Sequence, residues 1–325
     1  HIQASRDANT RKMWWNAAPD TSVFAQAMLN RGHKIELNPL IDPYAEDVKW
    51  MTHYITDRAT RFNISPQAGG VDPGLNGNGY GFRFEGEENY SGGVQLEMVA
   101  SVGDLDYKIP PTIGAPAEAV GRTVREIVAD GAEYFYFTQS EIRFGEDAEG
   151  NPAYAGGWDY GRNARVIDSS QVGWAAVGLF AAEINTGLQT LQWVKDRVYN
   201  AVRYNDASRG GNMDRYGGYG YRSWNGSGAN HARSGAMLNA LGFAVDRNPV
   251  DERAQATALY IARNFNNITP DSWGGQSIGN SYAMFQIAGS IPRWGRRTTG
   301  IRRWWSGRRR SRSSWRRPSR TTTTS

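Results

Sequence analysis

One motif recurs four times along the chain and limits the folds open to it: an amphipathic helix, a corner rich in glycine and aromatic residues, and a second helix richer in small residues. The first helices are predicted at 43–62, 121–138, 191–204 and 250–266. Tyr44, Val48, Met51 and Ile55 in the first copy stand at helical spacing, as do Val124, Val128, Gly131 and Phe135 in the second and Leu191, Val194, Val198 and Val202 in the third. Each such stripe gives its helix one buried face. Asp42-Pro43 and Asp251-Glu252 are start signals for the first and fourth copies.

The corners are Gly79-Tyr80-Gly81-Phe82, Gly156-Gly157-Trp158-Asp159-Tyr160, Gly218-Tyr219-Gly220-Tyr221 with Trp224, and Trp273-Gly274-Gly275. Glycine opens backbone conformations closed to other residues, and an adjacent ring can cover a helix end. The second helices are predicted at 91–102, 169–185, 229–245 and 277–288. Ala175, Ala176, Gly178, Ala181 and Ala182 allow a neighbouring helix to come close. Successive corners lie about 77, 62 and 54 residues apart, longer than common helical repeats. The expected fold is all-α, an incomplete α/α toroid of about four helical hairpins with Gly/aromatic loops. It spans 42–288, behind an irregular entry segment (1–41) that holds a short helix from Ser22 to Gly32.

Phe135, Gln139, Gly157 and Trp158 together resemble the QW motif of the prenyltransferase and squalene oxidase repeat family, with an insertion between the glutamine and the glycine. Asn266 stands where that family carries glutamine in the fourth copy. The layout is most similar to repeat proteins of this class in large bacterial and archaeal surface proteins. The resemblance implies an α/α toroid and an extracellular or cell-surface setting among other domains of a larger protein. The family's catalytic groups are missing: there is no DxDD acid, no DDxxD cluster, and no cysteine to complete a Cys-containing zinc site. Asp104-Leu105-Asp106 is read as a solvated helix end.

The leading expectation is therefore a non-catalytic structural or ligand-binding module, with a glycan or an apolar small molecule as ligand. Trp158, Tyr160, Tyr219, Tyr221, Trp224 and Trp273 are the candidate ligand-binding residues, with corner packing as their simpler role. The alternatives are a polysaccharide lyase or hydrolase using Asp159, Asp168 and Asp214 as loop carboxylates, and a terpenoid-cyclase-like enzyme; helix capping explains the carboxylates more simply. No cofactor is expected. Asn76, Asn78 and Glu85 fall at calcium-loop positions, but Gly74 occupies the first position where a carboxylate is needed.

The formal charge of +5 misleads, because Gly289–Ser325 holds twelve arginines and no acid. Removing those twelve from 37 basic residues leaves 25 against 32 acids, so residues 1–288 carry a net −7. Only this segment, expected to be a disordered tail, has the charge for nucleic acid. Arg, Trp and Gly share G-rich codons, and a shifted reading frame is favoured over an evolved nucleic-acid arm. No stretch approaches the roughly 18 apolar residues of a membrane span. The chain begins at His1, which suggests a processed product or a fragment.

Overall fold

The computed structural model describes residues 17–67, 71–112, 114–141, 143–146, 152–154, 156–224, 228–265 and 280–295. These are predominantly helical, with two short two-stranded hairpins. The helices are α1 (Ala17–Asn30), α2 (Ala45–Thr56), α3 (Glu88–Ala100), α4 (Val124–Thr138), α5 (Ser169–Thr186), α6 (Gln192–Asn205), α7 (His231–Ala244), α8 (Glu252–Asn264) and α9 (Ser281–Gly295). No helix among the described residues is long and apolar enough to cross a membrane.

The helix starts follow local chemistry. Thr123 and Glu126 form a capping box on α4, while Asp168, Asn230 and Asp251 accept backbone amides at the starts of α5, α7 and α8. Asp42 accepts the amide of Tyr44 at 3.0 Å, just ahead of α2. The predicted stripes of α2, α4 and α6 are buried at Val48, Met51, Ile55, Val124, Val128, Phe135, Val194, Val198 and Val202, whereas Tyr44 is 45% exposed.

Two boundaries differ from expectation. The helix expected over 43–62 stops at Thr56, because Thr60–Asn63 (β1) pairs antiparallel with Tyr80–Arg83 (β2), with Thr60 opposite Arg83 and Asn63 opposite Tyr80. The first corner is thus a strand edge rather than a loop. The insertion between Gln139 and Gly157 contains a second antiparallel pair, Arg143–Glu146 (β3) with Pro152–Tyr154 (β4). At the far end, α9 runs on to Gly295, past the expected tail boundary at 289; the residues after 295 lie outside the described ones.

The second helices form a continuous row, α3 on α5, α5 on α7 and α7 on α9, and α1 extends the row by packing on α3. The amphipathic helices flank this row, α4 on α3 and α5, α6 on α7, and α8 on α7. Small residues make the row possible. A Cβ on Gly93 would strike the backbone of Trp174, one on Gly173 would strike Ala236, and one on Gly235 would strike Gln286 and Ile287. Helices this close bury almost everything: in α3 every residue except Glu88 and Tyr90 is buried, and in α7 every residue except Ala244.

The helices of the row point the same way. Tyr90 and Trp174, near the starts of α3 and α5, are in ring contact at 5.7 Å, while Asn185, near the end of α5, donates to Ser101 just past the end of α3 at 3.1 Å. Pro19 near the start of α1 lies close to Gly86 and Ser91, and Lys34 beyond its end donates to the Ser101 carbonyl. The start of α5 meets the segment leading into α7, where Ser169 donates to the Tyr221 carbonyl at 3.0 Å, and Arg247 beyond α7 lies over Phe180 of α5. Trp174 also touches Tyr282 and Phe285 at the start of α9. All five helix starts therefore lie at one end.

Candidate functional site

The corners repeat in atomic detail. A Cβ on Gly81 would meet Asp130 and Tyr134 of α4; one on Gly156 would meet Arg197, and one on Gly157 would meet Ala201 of α6. Cβ atoms on Gly217 and Gly218 would meet Ala256 and Tyr260 of α8. Each corner thus lies against two residues, one helical turn apart, of the next flanking helix. Phe82, Trp158 and Tyr219 follow these glycines and are wholly buried. Trp158 Nε1 donates to the Phe135 carbonyl at 2.9 Å, and the two rings stand edge to face at 6.2 Å. Gln139 donates to the carbonyls of Gly156 at 2.7 Å and Val194 at 3.0 Å, tying α4, the corner and α6 together. The Tyr219 hydroxyl meets Thr257 Oγ1 at 2.9 Å. Trp158 and Tyr219 are therefore wholly buried in the packing of their corners.

What the corners place at the helix-start end is different. Tyr160, two residues beyond Trp158, is 40% exposed, and Tyr221, two beyond Tyr219, is half-buried. Both adjoin Asp168, the wholly buried cap of α5. Its Oδ1 accepts from the backbone amide of Ser170 at 2.8 Å and from the Ser170 hydroxyl at 2.5 Å. Tyr90 from α3 and Tyr282 from α9 lie one turn further along α5, against the Trp174 ring at 5.7 and 6.4 Å. Burial first, and then neighbouring carboxylates or phenols, raise the pKa values of these four tyrosines, so that they stay protonated at neutral pH. Buried Asp159 faces Arg222 at 3.5 Å, and its carbonyl accepts from Asn89 at 2.7 Å. Arg233 lies over the Tyr221 ring at 5.2 Å. His231, at the start of α7, has its pKa lowered by burial.

Asp159 and Asp168 thus lie among the loop aromatics, but Asp214 does not join them: it is exposed on the 3-10 turn Met213–Arg215. Trp224 is half-buried and packs against Gly210. Trp273 and Asn266 lie outside the described residues. The candidate calcium residues have separate partners. Asn76 and Asn78 donate from their amide nitrogens to Asp130 at 2.6 and 3.0 Å, and their oxygens accept the backbone amides of Asn78 and Tyr80. Glu85 is ion-paired with Arg58 at 3.1 Å. Among the described residues no group of three or more His, Cys, Asp or Glu is placed to hold a metal.

Sequence reasoning overlooked Tyr90, Gln171, Trp174, Tyr282, Arg222 and Arg233. A signal was present: Tyr90, Gln171, Trp174 and Tyr282 are bulky or polar residues in the first two turns of their helices, beside the small residues of the row. In comparison with known proteins, the chain matches no family model, no curated protein sequence and no solved structure.

Proposed function

We propose that the chain is a non-catalytic, ligand-binding α/α-toroid module of a larger surface or secreted protein, built on the prenyltransferase and squalene oxidase repeat plan. Its ligand site is the mouth at the helix-start end of the row. The observation that carries the reading is the gathering of four tyrosines from separate segments about the first two turns of α5: Tyr90 and Tyr282 meet the Trp174 ring at 5.7 and 6.4 Å, and Tyr160 and Tyr221 adjoin Gln171 and Asp168. Half-exposed rings around a few polar groups are the usual lining of a small-molecule site. The toroid reading is supported by Trp174 of α5, which is in ring contact with both Tyr90 of α3 and Phe285 of α9. The larger surface protein rests on the sequence resemblance.

Acid-base chemistry is less well served. One oxygen of Asp168 is committed to capping α5, Asp159 faces a guanidinium, and the surrounding phenols are held protonated. The test is binding of a glycan and isoprenoid panel by the full chain, followed by thermal shift and calorimetry, with Tyr160→Ala and Tyr221→Ala alongside. The reading expects one class to bind, and both variants to lose that binding while keeping the melting temperature. Undiminished binding in both variants would remove the mouth as the site. Release of reducing ends or unsaturated sugars would put the hydrolase or lyase reading first.

A further inference from the structure

The loop 72–79, which leads into β2, lies at the surface, with Leu75 through Gly79 exposed and Pro73 buried. The four hydrogen bonds that carry it across to α4 all end on two side chains one helical turn apart. Glu133 Oε1 accepts the backbone amides of Leu75 at 2.6 Å and Asn76 at 2.8 Å. Asp130 Oδ1 accepts from the side-chain amides of Asn76 at 2.6 Å and Asn78 at 3.0 Å.

Both acids are wholly buried. The cation on the pair is Arg122, which holds the other oxygen of Asp130 and also donates to the Tyr80 hydroxyl of β2 at 3.1 Å. Glu133 is left without such a partner. Among the described residues its second oxygen is buried and makes no hydrogen bond, and the charged groups that bear on it, Asp130 and Asp72, are both negative. Further along α4, Tyr136 adds a phenol that burial holds protonated. On the helices packed against α4, Glu88 of α3 is paired with Arg83 and Arg162, and Glu183 of α5 with Lys195. Two buried carboxyls beside one guanidinium leave a charge uncompensated, and in a medium of low dielectric such a pair keeps a proton instead. Every group that the loop turns toward the two acids is a hydrogen-bond donor, which suits a shared proton and not a metal ion.

We infer that loop 72–79 is a pH-sensitive strap, shut on α4 while the Asp130–Glu133 pair holds a proton and loosened when that proton leaves. With the loop shut, burial, opposed by the Asn76 and Leu75 amides, brings the Glu133 carboxyl from 4.5 up to about 7. With the loop open, the carboxyl meets water and returns toward its ordinary value, so opening releases a proton. The open fraction therefore rises as pH climbs from about 4.5 to about 7 and is level above. The strap is tight in mild acid and loose at neutral pH, where its opening bares both acids.

The experiment is amide hydrogen exchange on the full chain, read at Leu75 and Asn76 and corrected for the intrinsic pH dependence of exchange. Between pH 5 and pH 8 the protection of these two amides is expected to fall by on the order of fiftyfold, and at every pH they should exchange faster than the amides of α7, which report global unfolding. Glu133→Gln keeps the acceptor and cannot ionise, so its protection should be flat with pH. Asn76→Ala removes one donor to Asp130 and no titrating group; it should loosen the strap at every pH and keep the slope, which preserves the test if Glu133→Gln does not fold. Protection that does not vary with pH in the original chain, or a slope that persists in Glu133→Gln, would overturn the inference. Exchange at Leu75 and Asn76 no faster than in α7 would also overturn it, because the loop would then open only when the whole chain unfolds.

Discussion

Gly156 lies against Arg197 so closely that a Cβ added to it would stand well under 3.0 Å from the Arg197 carbonyl oxygen, and its φ of +59° is one that side chains resist. The same relationship joins Gly217, with φ +83°, to Ala256 in the next hairpin. Gly156→Ala and Gly217→Ala should each cost about 3 kcal/mol or more, combining backbone strain with a forced shift of the flanking helix. Gly187 has φ +76° but open space around a new Cβ, so Gly187→Ala should cost only about 1 kcal/mol. Urea denaturation of the three variants decides this, and equal losses would mean that strain alone sets the cost.

Trp158→Ala should destabilise the chain by about 3–5 kcal/mol, because the ring is wholly buried and its Nε1 bonds the Phe135 carbonyl. Trp158→Phe should lose less, since it refills most of the volume and gives up the hydrogen bond. Ligand affinity measured well below the melting temperature should be unchanged in both. A loss of affinity with unaltered melting would instead make Trp158 a binding residue.

Glu133 gives stability a defined pH dependence. Burial pushes its carboxyl up from 4.5 to about 7, against the pull of the Asn76 and Leu75 amides, and Asp130 and Asp72 add to the rise. Between those values the folded chain holds a proton that the unfolded chain has released, so this group's contribution to stability falls as pH climbs from about 4.5 to about 7 and is level above. Glu133→Gln should remove that slope. Relative to the original chain, the variant should gain on the order of 2 kcal/mol between pH 4 and pH 8. A difference in unfolding free energy that does not vary with pH would refute it.

Residues 296–325 contain a single aliphatic side chain, Ile301, and eleven arginines. A segment with so few aliphatic residues and so dense a positive charge has little from which to build a core. Removing it should leave the melting temperature almost unchanged at moderate salt and abolish any nucleic-acid binding of the full chain. A large drop in melting temperature would make the segment part of the repeat array.

Much of the helical layout was legible because it is local. The stripe Val48, Met51, Ile55 and the acids at 251 and 252 report on their own helices. The strand at Tyr80–Arg83 was not, since its partner Thr60–Asn63 lies some twenty residues upstream, inside what periodicity extends as helix. Periodicity carries no information on such pairing. The mouth was half legible: Asp168 and Tyr160 stand out beside a glycine corner, but Gln171 and Trp174 look like members of a packed row. Only the arrival of Tyr90 and Tyr282 from distant segments gathers them into one cluster.

Because each corner seats against the flanking helix that comes after it, the unit that folds together is out of phase with the unit that repeats in the sequence. Residues 156–158 belong by sequence to the hairpin of α4 and α5, yet the surface that receives them is on α6. A fragment cut after α5 would end with a complete helical hairpin and an unseated corner. A fragment carried through α6 would keep the corner docked. The natural places to divide or splice this chain thus fall after the flanking helices, half a hairpin away from where the repeated pattern draws its borders.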